Sequence, residues 1–587
     1  MPAYAIREWR QEEKPKALPE QIIETIDSCE DVAKTAKSRL KKFLAEMGIQ
    51  DILEMDYPLR KAYQNYLFSA CQIQSADRYL LAYDRTKQAD IRRRMKTLAG
   101  KNQCRWRLEE TILFLPYHPD QELAMELDSV RNRPNMVWDF TKPCAWHVKE
   151  QVFTTLNEIL AITKNSIQRR QRLTGLQYLY DFCTEQAIQD IEDMDLAQEQ
   201  MFNAYLTEHT PSETYKHQML AILNLCRKTV FLHNAQINWQ ANIWYLDGLR
   251  IAEHRLNRSS SVTSVSFTEI SHKENRRYAK EYMKYQIGVT GQAISTITTR
   301  YCLLERFLVR LSEQGQDAAS CTTKQIEDYL GELQESGISA KSFNAYISGL
   351  NHFFRFLIAR NYRETMPFQP ELYQKKIIVK HHDRSVSPEV CEEVLGKLHL
   401  LPDHLRCMYL HLWCLGLRIS EVCTLKGNAY YRQNHDTWIQ VYQVKMKNYK
   451  RIPIAEGLYR IMEVYIKTHQ IGPDDYLFTN KNGGPYRSMT FRHQMKKFCE
   501  DHEIDGGDYL FQSHDYRHTV ATMLYDNGVS IQGVRDYLGH DYLEMTEQYI
   551  DYMPKKIEQA NIDYFNQVDN VLAAEIIPKK RGEKTGK

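Results

Sequence analysis

A repeated helical segment limits this chain to folds built from similar helical units. Residues 48–67 align without gaps on residues 187–206. The matching pairs are Ile49 and Ile188, Asp51 and Asp190, Met55 and Met194, Asp56 and Asp195, and Tyr66 and Tyr205. Each copy follows a segment of helical periodicity with a phenylalanine at the same distance, Phe43 and Phe182.

A looser third copy covers residues 304–330, where Phe307 and Tyr329 stand one residue closer together. Thr322 or Thr323 is expected to cap its second helix. We therefore predict three helical units of one ancestry. The alternative is a chance resemblance between amphipathic helices, and it has more force for the third copy.

Length and composition favour a multidomain helical protein. The chain has 587 residues, which is too many for one core and predicts three or four domains. Only 24 Gly and 18 Pro accompany frequent Leu, Glu, Gln, Lys and Arg, a composition that favours helix. The 77 Lys+Arg and 75 Asp+Glu residues give a net charge of +2, so any argument for nucleic acid depends on local patches.

The cysteines and the apolar segments indicate a cytosolic protein. The 13 Cys residues form no C-x-x-C pair and no Cys/His cluster at zinc spacing, so we expect reduced, mostly buried thiols and no structural zinc or other metal. No apolar run approaches the roughly 18 to 20 residues of a membrane span. The N-terminus lacks the apolar core of a secretory signal, so the protein is expected to stay where it is made.

The segment from Ser513 to Tyr549 contains His514, Arg517, His540 and Tyr549. Two upstream residues complete the set: Arg418 in L-G-L-R-I-S-E and Lys445 in V-K-M-K-N-Y-K-R-I-P-I. Together they predict a nucleophilic tyrosine in a cationic pocket for one phosphodiester. Taken singly, each has an ordinary alternative. Arg418 can pair with Glu421, His514 can cap a helix, His540 can occupy a turn, and Tyr549 can be a packed tyrosine.

A β-hairpin is predicted among the helices of the C-terminal region. Residues 437–445 alternate apolar and polar side chains, and a second short strand, K-R-I-P-I, follows a polar turn around Asn448. Pro453 is expected at a sheet edge, where its missing amide is tolerated. Further upstream, Ser387 and Pro388 predict a capped helix start, and the helix from His404 to Trp413 is apolar enough to be interior.

A basic segment precedes this region. Lys341, Arg355, Arg360 and Arg363 lead into a connector that carries Lys375, Lys376 and Lys380. These cations are candidates for neutralising DNA phosphates, and the alternative is a solvated helix face. The nearby aromatics Tyr346, Phe353, Phe354 and Phe356 recur at helical spacing and are expected in the core rather than as base-stacking platforms. A serine-rich run, residues 258–266, is predicted as a linker.

The order and spacing of these motifs resemble the tyrosine recombinase, or phage integrase, family. The resemblance is strong for residues 387–551 and weaker for residues 273–368, which are similar to the family's core-binding domain. It implies that Arg418 and Arg517 bind the non-bridging phosphate oxygens. Tyr549 would form a 3′-phosphotyrosine without any cofactor, and His514 and His540 would donate to the phosphate or move a proton.

Two of these assignments have rivals. Lys445 is preferred to Lys447 as the general acid because eight residues separate it from Pro453, as in the family. Tyr549 is preferred to Tyr542 and Tyr552 because its distance from His540 matches the family.

The expected fold is mainly α and multidomain. Helical N-terminal units and a helical, SAM-like core-binding domain precede a mixed α/β catalytic domain with a small β-hairpin sheet. The predicted divisions are an N-terminal helical domain at 1–150, a second at 151–262, the core-binding domain at 273–368, a basic connector at 369–386, the catalytic domain at 387–556 and a tail at 557–587.

The resemblance also implies function and partners. A recombinase of this family cleaves and rejoins double-stranded DNA at specific sites, for integration and excision of a mobile element. It acts as a dimer on one site and a tetramer in synapsis, through a tail helix at residues 562–576 that docks on a neighbouring protomer or on its own domain. The extended N-terminal region favours a transposon-type enzyme with DNA-arm contacts or partner proteins, such as other recombinases or accessory proteins of its element, in the bacterial cytoplasm or nucleoid.

Two other functions remain open at this point. A type IB topoisomerase or telomere resolvase has a similar pocket but reseals or closes the same duplex. A catalytically silent relative would bind DNA without cleaving it. An N-terminal protein-interaction scaffold is compatible with either.

Overall fold

The computed structural model describes residues 17–109, 111–378, 384–540 and 546. Within these ranges the chain is mainly α-helical with small antiparallel sheets, which confirms the predicted fold class. It forms two compact units. The first comprises residues 1–249 and 264–276, and the second comprises residues 250–263 and 277–587.

The first unit contains ten helices within the described ranges: α1 (Glu20–Asp27), α2 (Lys34–Glu46), α3 (Tyr57–Ser69), α4 (Asp77–Arg94), α5 (Leu98–Cys104), α6 (Gln121–Asp128), α7 (Trp146–Ile162), α8 (Ser166–Glu185), α9 (Leu196–His209) and α10 (Glu213–His233). Four short strands accompany them: β1 (Ile112–Phe114), β2 (Val137–Asp139), β3 (Ile243–Tyr245) and β4 (Ser264–Ser266).

The two repeat copies of the first unit have the same local structure. In each, a helix ends two residues before a residue with positive φ, Gly48 at 65° and Ala187 at 49°. An aspartate then caps the next helix, Asp56 for α3 and Asp195 for α9. The ring of Phe43 lies 5.3 Å from that of Tyr66, and the ring of Phe182 lies 5.6 Å from that of Tyr205. The gapless alignment therefore corresponds to one helix–turn–helix structure built twice.

The order of elements extends the repeat beyond the aligned residues. Helices α1–α4 and the short α5 precede β1, and α7–α10 lead directly to β3. Each strand pairs antiparallel with the next strand in the chain, β1 with β2 and β3 with β4. The second strand of each pair is followed directly by Phe-Thr, at Phe140 and Phe267, and the next helix begins six residues later. The sequence analysis did not identify this second repeated feature.

The serine-rich run predicted as a linker is partly ordered structure. Its last residues form β4, which bonds to β3. Ser259 is fully buried, and its hydroxyl lies 2.8 Å from that of Ser488 within the second unit. The backbone and hydroxyl groups of the run therefore find hydrogen-bond partners within the fold, and the division between the two units falls within it, between residues 263 and 264.

The second unit begins with helices and adds one three-stranded sheet. The helices are α11 (Lys273–Gly288), α12 (Ile294–Glu313), α13 (Thr323–Glu335), α14 (Ala340–Ala359), α15 (Pro370–Tyr373), α16 (Pro388–Lys397), α17 (Asp403–Leu415), α18 (Ile419–Cys423), α19 (Glu456–Thr468), α20 (Ser488–Asp501), α21 (Asp515–Asp526) and α22 (Ile531–Leu538). The strands are β5 (Tyr430–Gln433), β6 (Asp436–Gln443) and β7 (Asn448–Pro453).

Helices α12 and α13 contain the third repeat copy. Thr322 caps α13 and forms a capping box with Gln325, as predicted for one of the two threonines. The rings of Phe307 and Tyr329 are 5.1 Å apart, so the looser copy keeps the same type of ring contact. On α14, Phe353 and Phe354 are completely buried, and the prediction that the aromatics of this region belong to the core is confirmed.

The predicted hairpin is confirmed by the pairing of β6 with β7, in which Trp438 opposes Pro453 on the edge strand. The turn lies at residues 444–447, and Asn448 already belongs to β7. Strand β5, which was not predicted, pairs with the other side of β6. Ser387 caps α16 with Pro388 at its first position, and α17 is largely buried, both as predicted.

One apolar core supports the sheet and the helices around it. It includes Val394, Leu412, Val441, Phe491 and Tyr516, from α16 through α21. Most of the cysteines are buried and all are unpaired thiols. Among the described residues, no helix combines the length and apolarity needed to cross a membrane.

Candidate active site

Arg418 stands at the start of α18, directly after the turn that ends α17. Gly416 makes this turn with φ of +57°, a conformation that favours glycine. The Arg418 side chain donates from Nη1 to Glu421 Oε1 at 2.9 Å, and its backbone amide donates to Glu421 Oε2 at 3.1 Å. The ion pair between Arg418 and Glu421, which was the alternative to a catalytic role, is therefore present. It fixes the arginine side chain at the N-terminus of α18.

Arg517 lies on α21 and is only 1% exposed. Its Nη1 donates to the carbonyl of Gly416 at 2.9 Å, and its Nη2 donates to the carbonyl of Leu538 at 2.6 Å. The same Nη2 lies 2.9 Å from His540 Nε2. Arg517 thus connects the end of α17, the end of α22 and the histidine that follows α22.

His540 is held by hydrogen bonds at both ring nitrogens. Because Arg517 has only donors, Nε2 acts as the acceptor, and Nδ1 carries the proton and donates to Thr546 Oγ1 at 3.0 Å. Burial and the nearby Arg517, Arg418 and Lys450 lower the pKa of His540 to about 3. The imidazole is therefore neutral at physiological pH in this structure.

Lys450 on β7 belongs to the same cluster, although the sequence analysis did not select it. Its Nζ lies 3.4 Å from the Leu538 carbonyl and 3.8 Å from Glu421 Oε2. Burial lowers the pKa of Lys450 to about 8, against the opposing effect of Glu421. The strand alternation contained the signal, because Lys450 has the same parity as the buried Ile452.

Glu421 is the buried counter-ion of these cations. Burial alone would raise the pKa of its carboxyl group, but Lys450, Arg418 and Arg517 together lower it. Three cations against one carboxylate leave an excess of two positive charges among the described residues of the cluster. Such a site is suited to an anion such as a phosphodiester.

The backbone after α22 approaches the sheet closely at Gly539. Its φ is +68°, and a β-carbon there would stand 2.2 Å from the Gln443 side-chain nitrogen. Gln443 is 2% exposed and donates to the carbonyls of Leu538 and Gly539 at 3.4 and 3.3 Å. The glycine of L-G-H is therefore required both for backbone conformation and for space.

His514 precedes α21 and is exposed at the surface of the site. Loss of hydration and then the neighbouring His518, Arg517, Arg418 and Arg384 lower its pKa. Its ring centroid lies 5.0 Å from that of His518. Four of the six predicted residues, Arg418, His514, Arg517 and His540, therefore interact electrostatically in one region of the fold.

The other two predicted residues are not joined to this cluster in the structure. Lys445 and Lys447 are exposed in the β6–β7 turn, and no hydrogen bond or ion pair connects Lys445 to the described members of the cluster. Tyr549 and its rivals Tyr542 and Tyr552 lie outside the described residues. The catalytic assignments of all six residues stay predictions.

Two protein-family models match the part of the chain that contains this site. Residues 385–556 match the model of the phage integrase family, and residues 279–361 match the model of the phage integrase N-terminal SAM-like domain. Over these residues the chain is similar to the phage integrase family. The family model spans the elements that carry Arg418, Lys450, Arg517 and His540.

The curated relatives are transposases and tyrosine recombinases. Transposase B from transposon Tn554 of Staphylococcus aureus is 28% identical over 359 residues, which cover 59% of this chain and 57% of the relative. Tyrosine recombinase XerC of Bacillus subtilis is 25% identical over 301 residues, covering 47% of this chain and 91% of the relative. The chain spans a little over half the length of the Tn554 transposase.

Two solved structures align over about half of the chain. The Tn1549 transposon integrase in complex with transposon right end DNA is 19% identical, with a TM-score of 0.37, and covers 48% of this chain and 98% of that chain. A lambda integrase dimer bound to a core site is likewise 19% identical, with a TM-score of 0.36, over 46% of this chain and 94% of that chain.

The cations proposed for DNA contact on the SAM-like domain differ in their surroundings. Lys341, Arg355, Arg360 and Lys376 are exposed, which is compatible with phosphate contact. Arg363 instead donates to the carbonyls of Thr365 and Ala319, at 2.6 and 3.0 Å. Lys375 places Nζ 4.1 Å from the centre of the Phe343 ring, and Lys380 lies outside the described residues. Their role in DNA binding stays a prediction.

Proposed function

We propose that this protein is a site-specific DNA recombinase that cleaves and rejoins DNA strands through a covalent 3′-phosphotyrosyl intermediate at Tyr549. The observation that carries the proposal is the cluster of Arg418, Arg517 and Lys450 near the buried Glu421 carboxylate, with His540 bonded to Arg517. Its excess positive charge matches what an attacked phosphodiester requires, because charge develops on the non-bridging oxygens as the tyrosine oxygen attacks.

In this mechanism the two arginines bind the scissile phosphate. Arg517 is fixed by two backbone carbonyls, so its guanidinium is oriented before DNA binds. Arg418 is held by Glu421 at the start of α18. Preorganised guanidinium groups of this kind stabilise the transition state without reorganisation during the reaction.

Tyr549 supplies the nucleophilic oxygen, and the bond to the 5′-oxygen of the next nucleotide breaks. The phosphotyrosine conserves the energy of the broken phosphodiester, so no nucleotide cofactor is needed for rejoining. The 5′-hydroxyl of a partner strand then attacks this linkage and releases the tyrosine. Lys445 is proposed as the general acid that protonates the leaving 5′-oxygen, with Lys447 as its rival.

The partners proposed are double-stranded DNA at specific recombination sites and further copies of this chain. A dimer on one site and a tetramer in synapsis would be linked by the tail at residues 557–587, which lies outside the described residues. The transposon relatives support integration and excision of a mobile element as the biological role, with accessory proteins or other recombinases of the same element as further partners. Cytoplasmic localisation remains part of this proposal.

The test distinguishes strand exchange from topoisomerase action. Supercoiled plasmids that carry one or two copies of the element's joined ends are incubated with the protein. Recombination products that appear only with two sites support the proposal. Relaxation of a one-site plasmid without products would favour a type IB topoisomerase, and DNA binding without cleavage would favour a catalytically silent relative.

A further inference from the structure

Three side chains with metal-ligand chemistry meet in the first unit, far along the sequence from the recombinase motifs. His147 lies in the first turn of α7, and Asp190 and Glu192 lie in the loop between α8 and α9. One ligand atom from each, a ring nitrogen and two carboxylate oxygens, all lie within 4.8 Å of one another. Among the described residues, no other set of three such side chains lies this close together.

Neighbouring side chains orient each member of the group. Asp190 Oδ1 accepts from Gln151 Nε2 at 2.6 Å and from the Glu192 amide at 2.7 Å, which leaves Oδ2 3.5 Å from His147 Nε2. His147 Nδ1 lies 3.4 Å from Glu150 Oε2. A carboxylate at one ring nitrogen fixes the tautomer with the lone pair on the other, which is the usual arrangement around a metal-binding histidine.

The contact of His147 with Gln151 agrees with that tautomer. The Gln151 Nε2 amide group lies 3.3 Å from His147 Nε2 and can only donate, so Nε2 is the acceptor nitrogen. A ligand at Nε2 would replace this long contact, while the 2.6 Å bond from Gln151 to Asp190 would remain.

Glu192 is the member that points most directly to a ligand. It is 2% exposed, and its Oε2 accepts from Asn238 at 3.0 Å and from Asn234 at 3.4 Å. Its Oε1 is buried and has no hydrogen-bond partner among the described residues. A buried carboxylate oxygen without a partner is unfavourable unless a cation or donor satisfies it.

The other repeat copy shows that the loop does not need this carboxylate. Asp51 matches Asp190 and makes the same bond to the amide two residues on, Leu53, at 2.8 Å. The position of Glu192 is occupied there by Leu53, and Asp51 is paired with Arg94 at 2.5 Å. In the first copy, the turn combines its aspartate with an apolar residue and an arginine. In the second copy, it combines its aspartate with a second carboxylate and an imidazole.

We propose that His147, Asp190 and Glu192 bind one divalent transition-metal ion, with Zn²⁺ as the best fit, and that the ion ties α7 to the α8–α9 loop. One imidazole and two carboxylates are ligands that zinc accepts at roughly 2.0 to 2.2 Å. The 3.5 Å between His147 Nε2 and Asp190 Oδ2 is already suited to two ligands of one ion. Glu192 needs only a small approach, and a fourth position remains for water.

The site contains no cysteine, which is why the cysteine pattern gave no sign of it. It is independent of the proposed recombinase chemistry. Its role is to stabilise helices α7–α10 of the first unit.

The experiment measures zinc binding to the full chain purified without a polyhistidine tag and stripped with a chelator. Zn²⁺ is titrated in competition with a chromogenic chelator, and retained zinc is measured by mass spectrometry after desalting. Glu192→Gln and His147→Gln are compared with the wild type. His233→Gln is the matched control, since His233 pairs with Glu158 at 3.4 Å in the same unit but belongs to no three-ligand group among the described residues.

The expected result is retention of one zinc per chain by the wild type and the control, and at least tenfold weaker binding by Glu192→Gln and His147→Gln. Zn²⁺ should also raise the melting temperature of the wild type but not of these two variants, and Mg²⁺ should not replace it. Far-UV spectra in chelator establish that each variant is folded. Equal zinc binding by the wild type and Glu192→Gln, or no retention by the wild type, overturns the proposal.

Discussion

The guanidinium of Arg517 and the imidazole of His540 meet at 2.9 Å in the buried part of the candidate active site. This contact fixes which nitrogen of His540 carries the proton, because the arginine can only donate. It also brings together two residues that are 23 positions apart in the sequence. The contact fixes the relative position of the two side chains, and the charge of Arg517 helps to lower the pKa of His540.

Stability should fall in mildly acidic solution because of His540. Its pKa is about 3 in the folded chain and roughly 6.5 when unfolded, so between these values the unfolded state binds the extra proton. Unfolding free energy therefore decreases as pH falls through this window. We expect wild type to lose about 1 kcal/mol more than His540→Gln between pH 7 and pH 5.5.

The measurement is denaturant unfolding of both proteins at each pH. His435→Gln, in the exposed turn between β5 and β6, is the control and should keep the wild-type slope. A wild-type slope that His540→Gln does not reduce would contradict the assignment of a neutral, buried His540.

Replacing either site arginine by lysine should disable cleavage. Lysine keeps the charge but cannot reproduce the planar fork, and Arg517 uses both terminal nitrogens for backbone carbonyls. We expect Arg418→Lys and Arg517→Lys each to slow covalent adduct formation by about 100-fold or more. Arg535→Lys, which alters a surface pair with Asp536 on α22, should react at the wild-type rate. Rapid adduct formation by Arg517→Lys would exclude its proposed role at the phosphate.

The general acid can be identified with a substrate whose leaving group needs no proton. In DNA with sulfur in place of the 5′-bridging oxygen, the leaving group departs as a thiolate and needs no proton. Cleavage of this substrate should therefore tolerate loss of the general acid. We expect Lys445→Ala to slow cleavage of ordinary DNA by about 100-fold or more and to recover on the sulfur substrate. Lys447→Ala should be nearly normal, and Lys450→Ala should be impaired on both substrates, since Lys450 contacts Glu421 and the Leu538 carbonyl. Recovery of Lys450→Ala instead would transfer the role to Lys450.

Gly539→Ala should destabilise the catalytic region more than an ordinary glycine substitution. The alanine would have to adopt the positive φ of Gly539, which side chains disfavour. Its β-carbon would also displace the buried Gln443 side chain. We expect a loss of about 2 to 4 kcal/mol in unfolding free energy. Gly528→Ala isolates the backbone part, because Gly528 has φ of +85° but no heavy atom within 4 Å of the added carbon. Equal losses for the two variants would show that the contact with Gln443 has no energetic effect.

Motif spacing predicted the arginines and histidines of the site because their separations follow from elements of fixed length. The backbone carbonyl of Leu538, which accepts from Arg517, could not be predicted in this way, because it depends on how the end of α22 packs against α21 and the sheet. Lys450 could have been found from the alternation of β7. Lys445 was chosen instead, because its separation from Pro453 matches that of the resembled family.

The same contrast applies to the fold. Helix caps at Ser387 and Thr322 were predictable, since they depend on residues within one turn. Strand β5 was not, because its four residues show no apolar alternation and form a strand only by pairing with β6. The repeat was recognised where side chains pack in the core, as at Phe43 and Phe182, and was missed where short strands join the helical groups.

The most direct test of the central claim is to locate the covalent bond between protein and DNA. A nicked suicide substrate carrying the element's ends is incubated with wild type, Tyr549→Phe, Tyr542→Phe and Tyr552→Phe, and adducts are separated by denaturing electrophoresis. We expect a 3′-linked adduct on the peptide containing Tyr549 in all proteins except Tyr549→Phe. An adduct that persists in Tyr549→Phe would contradict the central claim.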